Sequence, residues 1–408
     1  MSQSSYLTAG QAAQALGVKL PTLYAYVSRG LIRSEEMGNT KRERYYDAED
    51  VQRLKERQQQ RRDPTSVIAS ALDWGAPVLE SALTLIRDGK LYYRGQDAVT
   101  LASQHSIEEV ASLLWAGNLY TRDMNLNQPI PKSARAQLEE LISHAQPYSL
   151  IESFQIALLM TASEDPAAYD LRPDAVRQTG ARILRLMTAV AASKVPEDDI
   201  AQTLSQSWAP NRQPQVARLL DATLILLADH EFNVSSFTAR CVASSGATPY
   251  AVVTAGLAAL QGTKHGGAVS RVEALFGEIQ KPANAQRVLT QRLRRGEDIP
   301  GFGHKLYPEG DPRARVLLGL MGNTIPRSPT LLLSKAVMQA TRSMIGEEPN
   351  SDFALAVLTR LLNLPEGYGL GVFALGRTVG WLAHAIEQYQ SDRMIRPRAR
   401  YVGSMPSA

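Results

Sequence analysis

Three of the six histidines stand in surroundings that suit binding or catalysis. His230 lies between two acids in the segment ADHEFNVSSFTAR, and His304 lies in the Gly- and Pro-rich segment PGFGHKLYPEGDPRAR. His265 lies in KHGGAVS, where paired glycines let the backbone approach a ligand and a following helix could direct N–H groups toward it. Each segment alone is compatible with ordinary turn chemistry. Their occurrence together indicates a functional site.

Zinc is one possible use of three histidines, but their spacing does not suit it. They are 35 and 39 residues apart, the chain has no HxxxH or HExxH spacing, and its one cysteine, Cys241, has no second thiol to join it. The sequence therefore predicts no metal site.

An aspartate and several arginines add charge to the same part of the chain. Asp352, in PNSDFALAVLTRLL, directly precedes an apolar helix, where a plain N-cap is the alternative role. Arg377, in VFALGRTVGW, stands on an otherwise apolar helical stripe and would be costly to bury without an anion. Arg313 and Arg396 are further candidates, although a solvated tail also explains Arg396. Arginines combined with neutral histidines suit a small polycarboxylate.

Helices must position most of these side chains. From Ala69 onward, apolar residues recur three and four positions apart in long segments that Pro, Gly and Asn interrupt. His384, in GWLAHAIEQ, has the pattern of a packed helix residue. The best strand candidate is LTLIRDGKLYYRG, with Asp88 and Gly89 as the turn of a hairpin. We therefore expect an all-α protein with little sheet.

Length and composition narrow the class of protein further. A chain of 408 residues predicts two or three domains, at ~100–200 residues each. With 44% hydrophobic and 21% charged residues, it is not a highly charged disordered chain. No apolar run reaches the ~18–20 residues of a membrane span, and the N-terminus has no signal-peptide pattern. We expect a soluble, cytoplasmic protein with no membrane partner.

Most of the excess positive charge lies in the first 63 residues, which contain eleven Lys and Arg against eight Asp and Glu. Thr8 and Gln11 predict a capping box for a short helix that ends at Gly17, and Pro21 suits the start of a second helix. Two short helices around a tight turn predict a helix-turn-helix. The polar stretch that follows could form a wing, and Asp47 caps the next predicted helix.

The segments TAGQAAQALGV, TLYAYVSRGLI and RERYYDAEDV resemble the winged helix-turn-helix of the mercury-resistance-regulator (MerR) type. The resemblance implies a DNA-binding domain over residues 1–62, with the second helix in the major groove. The side chains that it places at DNA are Lys19, Thr22, Arg29, Arg42 and Arg44. A module that has lost DNA binding, or that binds a protein, is the alternative.

From Ser81 to Gly403 the chain resembles the citrate synthase family, which includes the 2-methylcitrate synthases. The resemblance rests on SALTLIRDGKLYYRGQDAV, DHEFN, KHGGA, GFGHKLYPEGDPRA, PNSDF, FALGRTVGW and RPRARYVG, in this order. It implies an all-α, homodimeric protein with a large domain of residues 66–266 and 366–408 and a small domain of residues 267–365.

The same resemblance assigns roles to individual residues. The catalytic residues would be Asp352 as the base, His265 as the donor to the thioester oxygen and His304 as the group that polarises the oxaloacetate carbonyl. The residues implied to bind oxaloacetate are His230, Asn233, Arg313, Arg377 and, from the other subunit, Arg396. Lys264 and Lys305 would contact CoA, and no metal or redox cofactor is implied.

The sequence departs from the family pattern in two places. Pro308 occupies a position that is often basic, and Gly346, Glu347 and Glu348 form the segment before Asp352, which is also often basic in the family. These changes affect the expected affinity for CoA and the choice of acyl group. Three functions follow: a citrate synthase-type enzyme, a 2-methylcitrate synthase that uses propionyl-CoA, or a DNA-binding regulator that senses oxaloacetate, citrate or an acyl-CoA. We favour the enzyme, because a regulator would not need all the catalytic residues.

Overall fold

The computed structural model divides the chain into two compact units, Met1–Glu80 and Ser81–Ala408. The residues that the structure describes are 6–36, 44–48, 50–52, 54–55, 79–120, 135, 138–140, 142, 148–196, 199–399 and 401–406. Arg42, most of the predicted wing and the predicted boundary near residue 62 lie outside them. The predicted division of the synthase region into large and small domains stays a prediction.

The N-terminal unit combines two short helices with a three-stranded antiparallel sheet in the order β1-β3-β2. Its elements are β1 (Tyr6–Thr8), α1 (Ala9–Leu16), α2 (Leu20–Ser28), β2 (Ser34–Glu36) and β3 (Arg44–Asp47). The predicted capping box is confirmed, since the Gln11 amide donates to Thr8 Oγ1 and the Thr8 amide donates to Gln11 Oε1. Gly17 ends α1 at φ 62°, in the left-handed region that favours glycine.

A small apolar core holds this unit together. Its buried members come from both helices, the bend before β2, the sheet and the helical segment after Asp47, and they are Ala12, Ala13, Leu16, Leu23, Ile32, Tyr46 and Val51. Asp47 Oδ1 accepts the Asp50 amide at 3.0 Å, which confirms Asp47 as the cap of that segment. The helix-turn-helix pattern is therefore present in the described residues.

The second unit begins with a three-stranded antiparallel sheet of β4 (Thr84–Arg87), β5 (Lys90–Tyr93) and β6 (Gln96–Asp97). The turn between β4 and β5 is Asp88-Gly89, and both residues have positive φ, 52° and 70°. This geometry matches the right-handed twist of the two strands. The predicted hairpin is thus confirmed.

Helices make up most of the rest of this unit. They are α3 (Ala98–Gln104), α4 (Ile107–Ala116), α5 (Leu150–Ala162), α6 (Pro173–Ala192), α7 (Ile200–Trp208), α8 (Gln213–Leu227), α9 (Val234–Ala243), α10 (Pro249–Leu260), α11 (Ala268–Ile279), α12 (Ala285–Arg294), α13 (Pro312–Thr324), α14 (Pro329–Ile345), α15 (Ser351–Leu361) and α16 (Tyr368–Ser391). The predicted all-α class, with small sheets, is confirmed.

Helix α16 lies at the centre of this unit and packs against α6, α8, α9 and α10. Among the described residues it is the one helix long and apolar enough to cross a membrane, and 94% of its apolar window is buried within the protein, as in a core helix. Gly376 and Gly380 bring it close to α8: a Cβ at Gly376 would lie 2.8 Å from Leu224 O, and one at Gly380 would collide with Ala228 O. This close approach fixes the end of α8, where His230 follows.

Candidate active site

The end of helix α8 is tied directly to α16. Arg377 Nε donates to Leu227 O at 2.8 Å, and the Gly380 amide donates to Ala228 O at 3.0 Å. Carbonyls at a helix C-terminus have no partner within their own helix, so these donors satisfy them. His230 follows this junction two residues later and is buried.

His230, His304 and Tyr307 form a cluster of three rings. Their centroids are 5.2 Å apart for the two histidines, 5.6 Å for His230 and Tyr307, and 4.8 Å for His304 and Tyr307. His230 Nε2 lies 3.0 Å from Tyr307 Oη. Burial and the nearby Arg313 lower the pKa of His230 well below its usual value. The ring is therefore neutral near neutral pH.

A backbone contact determines which ring nitrogen of neutral His304 bears the proton. The Leu306 amide donates to His304 Nδ1 at 3.1 Å, so the neutral ring carries its proton on Nε2. Burial and Arg313 lower the pKa of His304 to about 4. His304 can consequently donate a hydrogen bond from Nε2 without carrying a charge.

His265 lies in a tight turn directly before α11. A Cβ at Gly266 would lie 2.6 Å from Leu370 Cδ1 and 2.7 Å from Leu260 O, so the turn requires glycine there. Burial lowers the pKa of His265 to about 4, with Arg377 acting in the same direction. His265 is therefore also neutral near neutral pH.

Ser235 controls which ring nitrogen of His265 bears the proton. Its Oγ lies 2.9 Å from His265 Nε2 and 2.8 Å from Asn233 Oδ1, and it accepts from Trp381 Nε1 at 3.2 Å. A hydroxyl proton directed to Nε2 leaves the imidazole proton on Nδ1, whereas one directed to Asn233 places it on Nε2. Only the first arrangement makes Nδ1 a donor.

Arg313 is buried in a two-pronged ion pair. Its Nε and Nη2 lie 2.9 and 2.8 Å from the two carboxylate oxygens of Asp311. Asp311 Oδ2 also accepts the Ser351 amide at 3.0 Å. Asp311 thus joins the His304 loop, Arg313 and the start of α15, which carries Asp352.

Asp352 occupies the first turn of α15 but is not its cap. Asn350 is the N-cap, because its Oδ1 accepts the amides of Asp352 at 3.0 Å and Phe353 at 3.3 Å. The alternative of a plain N-cap for Asp352 is therefore wrong. Its carboxylate has no hydrogen-bond partner within the described part of the chain, and burial raises its pKa to about 6, against the opposing effect of Arg313. Such a carboxylate is free to accept a proton near neutral pH.

Arg377 brings a second buried cation to the site. Only 1% of its surface is exposed, and its Nη1 has no partner among the described residues. Its guanidinium lies 4.7 Å from the Phe373 ring centroid, and the His265 ring lies 6.0 Å from the same ring. Burial lowers its pKa to about 10, with Asp229 opposing, so Arg377 stays charged near neutral pH. An unpaired buried N–H is suited to an anionic ligand.

The structure does not bring every predicted residue into this cluster. Asn233 caps α9 through the Ser236 amide at 3.0 Å, and its Nδ2 is buried with no partner in the described part of the chain. Lys264, Lys305 and Arg396 are exposed, and Arg396 lies in the segment after α16. In the N-terminal unit, the residues predicted to face DNA are all exposed where they are described: Lys19, Thr22, Arg29 and Arg44.

Sequence reasoning missed Ser235, Tyr307 and Asp311. Tyr307 and Asp311 lie in the same glycine-rich segment as His304, and Asp311 is two residues before Arg313. That proximity was an available signal for both. Ser235 was less accessible, because its contact with His265 spans 30 residues.

The fold and the site together define a helical protein with a buried, cationic, histidine-containing site, preceded by a helix-turn-helix unit. The family model "Citrate synthase, C-terminal domain" matches residues 69–398, and "MerR HTH family regulatory protein" matches residues 7–66. The chain belongs to the citrate synthase family and carries an N-terminal domain of the MerR type. Both predicted resemblances are confirmed.

Individual relatives agree with this assignment. The chain is 32% identical to citrate synthase 2 of Bacillus subtilis, over 81% of this chain and 94% of the relative. It is 30% identical to 2-methylcitrate synthase 1 of Corynebacterium glutamicum, over 77% and 89%. The crystal structure of citrate synthase from Thermotoga maritima is 28% identical, with a TM-score of 0.68 over 82% of this chain and 96% of that one.

Proposed function

We propose that this protein condenses acetyl-CoA with oxaloacetate and water to give citrate and CoA. The observation that supports this most strongly is the carboxylate of Asp352, which has a raised pKa and no hydrogen-bond partner among the described residues. The same unit carries two neutral histidines and two buried arginines. These groups match the needs of the reaction, which must remove a methyl proton beside a thioester and bind a dicarboxylate.

In the first step, Asp352 accepts a proton from the methyl group of acetyl-CoA. His265 donates a hydrogen bond to the thioester oxygen, which stabilises the enol or enolate as it forms. This role requires the proton on Nδ1, so Ser235 must donate to Nε2. A neutral donor suits the task, because it stabilises the negative charge that develops on the thioester oxygen without carrying a positive charge that would compete with Asp352 before the proton is transferred.

In the second step, the enolate carbon attacks the oxaloacetate carbonyl, which His304 polarises from Nε2. His304 then protonates the new alkoxide and regains a proton from the Asp352 carboxyl group. Water hydrolyses the citryl thioester: its hydroxyl bonds to the acyl carbon, the C–S bond breaks, and its remaining proton leaves on the CoA thiol. His230, Arg313 and Arg377 hold oxaloacetate, and Asn233 is a weaker addition. Proton transfers between side chains and substrates complete the reaction, so it needs neither a metal nor a redox cofactor.

We place Arg396 in the site of a second subunit. It is exposed within its own chain, and so are apolar residues of the same tail, namely Met394, Tyr401, Val402 and Met405. Exposed apolar side chains of this kind suit packing against a second copy of the chain. The large domain (66–266 and 366–408) and the small domain (267–365) would close over the substrates of such a homodimer.

The acidic segment of Gly346, Glu347 and Glu348 bears on which acyl-CoA the protein accepts. Glu348 pairs with Arg342 at 2.6 and 2.7 Å, and its carbonyl accepts the Gly303 amide at 2.9 Å, so the acidic segment lies against the His304 loop. Lys264 and Lys305 remain the proposed CoA contacts. Free-thiol release with acetyl-CoA and propionyl-CoA, each with oxaloacetate, tests the enzyme and distinguishes citrate from 2-methylcitrate synthesis. No release with either contradicts the proposal.

DNA binding is a second candidate function, supported by the MerR-type domain and its exposed cations. A homodimer would present two such domains to a two-fold operator in the cytoplasm. Gel shifts on the protein's own promoter, at stated salt and with and without oxaloacetate, test it. A shift no stronger than on unrelated DNA contradicts specific binding.

A further inference from the structure

The two acids that flank His230 are both bound by strand β4. Thr84 Oγ1 donates to Asp229 Oδ2 at 2.5 Å, and the Ile86 amide donates to Glu231 Oε1 at 3.2 Å. Thr84 and Ile86 are two residues apart on one strand, whereas Asp229 and Glu231 are about 145 positions further along the chain. The hairpin therefore contacts the His230 segment on both sides of the histidine.

Strand β5 adds a buried contact to the same segment. Tyr93 is fully buried, and its Oη lies 2.9 Å from Ile225 O and 3.2 Å from Asp229 O. The Asp229 amide lies 3.3 Å from the same Oη. Both strands of the hairpin thus hold the segment that ends α8.

The backbone at Glu231 needs such support. Its φ is 52°, in the left-handed region that residues with a Cβ rarely adopt. Strained backbone persists where surrounding contacts hold it. The bond from the Ile86 amide to the Glu231 side chain is one such contact, and it lies directly beside His230.

The other carboxylate oxygen of Asp229 faces α16. Its Oδ1 lies 3.2 Å from His384 Nε2, and His384 is buried, as its sequence pattern predicts. Burial alone would raise the pKa of Asp229, but His384, Arg377 and Thr84 outweigh this effect and lower it. Asp229 is therefore a buried carboxylate, and Thr84 donates to a charged acceptor, which is a strong hydrogen bond.

We propose that Thr84 is a positioning residue for oxaloacetate binding: through Asp229, it fixes the location of His230, although Thr84 itself does not touch the substrate. This inference rests on the proposed role of His230 in binding oxaloacetate. It assigns the β4–β5 hairpin a function in the site.

The experiment compares Thr84→Val, which removes the hydroxyl at nearly constant shape, with Thr84→Ser, which keeps it. Thr100→Val, at an exposed position of α3, is the matched control for the substitution itself. Oxaloacetate affinity is measured by calorimetry, KM and kcat by thiol release, and folding by thermal melting. Thr84→Val should weaken oxaloacetate binding and raise its KM about tenfold, with the acyl-CoA KM unchanged.

Thr84→Ser should restore affinity to within about twofold of the parent protein, and Thr100→Val should not differ from it. Equal oxaloacetate affinity in Thr84→Val and the parent would overturn the inference, and so would failure of the serine to restore it. If Thr84→Val does not fold, Thr84→Ala, which also removes the hydroxyl that donates to Asp229, replaces it and should raise the oxaloacetate KM selectively; an unchanged KM again overturns the inference. If the parent protein binds no oxaloacetate, the proposed function fails first.

Discussion

The two units of this protein present positive charge in opposite ways. In the N-terminal unit, the described cations at the proposed DNA surface are exposed side chains at helix ends and on a strand. In the synthase unit, Arg313 and Arg377 are almost fully buried, each tied to an acid or a backbone carbonyl. Exposed cations suit a long polyanion, whose counterions they displace, whereas buried arginines suit one small carboxylate.

This difference explains why overall charge is a poor guide to the enzyme. The pI of 9.0 reflects the N-terminal region, since residues 1–63 carry most of the net charge of +4. In the proposed mechanism, the synthase unit (Ser81–Ala408) binds its anionic substrate through a few buried side chains, chiefly Arg313 and Arg377. Substitutions in one unit should therefore leave the activity of the other unchanged.

Asp352→Asn should produce the largest effect and confine it to the synthase unit. Removing the base should lower kcat about 100- to 10,000-fold, while oxaloacetate binding and any DNA binding persist. Burial raises the pKa of Asp352, so the ionised carboxylate destabilises the folded state near neutral pH. The uncharged asparagine side chain of the variant removes this effect and should raise the melting temperature. Thiol release and thermal melting measure both effects. Unchanged turnover would exclude Asp352 as the base.

Arg377→Lys should give the next largest effect. Lysine keeps the charge but loses the planar guanidinium, so it removes both the Leu227 contact and the Nη1 group that has no partner among the described residues. We expect oxaloacetate affinity to fall about 100-fold. Calorimetry measures it, with Arg360→Lys, on the exposed side of α15, as the control. An affinity equal to that of the parent protein would place the dicarboxylate elsewhere.

Lowering the pH should reduce kcat less than these substitutions do, and the decrease should follow the protonation of Asp352. With a pKa of about 6, the base becomes protonated as the pH falls through that value, so kcat should drop about tenfold per pH unit below it. His265 and His304, with pKa values of about 4, stay neutral throughout this range and should add no second limb. A pH–rate profile checks this, and a profile that is flat down to pH of about 5 would contradict it.

Arg44→Ala should give the smallest effect and act only on the N-terminal unit. Loss of one phosphate contact should weaken binding to all DNA sequences alike and reduce the salt slope by about one. Gel shifts at several salt concentrations measure it, with thiol release as the control that should not change. A loss of enzyme activity in this variant would contradict the expectation that the two units function independently.

Much of this site was predictable from local sequence. The three histidine segments, Asp352 and the buried arginines each carry a local pattern, and the hairpin turn follows from Asp88-Gly89. Contacts between distant segments were not predictable. Thr84 and Asp229 are 145 residues apart, and only the packing of the hairpin on α8 brings them together.

The N-cap of α15 is a second feature that the local sequence could not predict. Asn350, Ser351 and Asp352 are consecutive residues that all favour an N-cap, so propensity cannot choose among them. The choice depends on Asp311, which accepts the Ser351 amide and fixes where the helix begins. Because Asn350 takes the capping role, the Asp352 carboxylate is left free for chemistry.

We propose that the synthase unit is an active condensing enzyme whose base is Asp352. The most direct measurement is oxaloacetate-dependent release of free thiol from acetyl-CoA and propionyl-CoA, for the parent protein and Asp352→Asn side by side. We expect release by the parent protein with at least one acyl-CoA, and almost none by the variant, which still binds oxaloacetate. No release by the parent protein with either acyl-CoA, or equal release by both proteins, would contradict the claim.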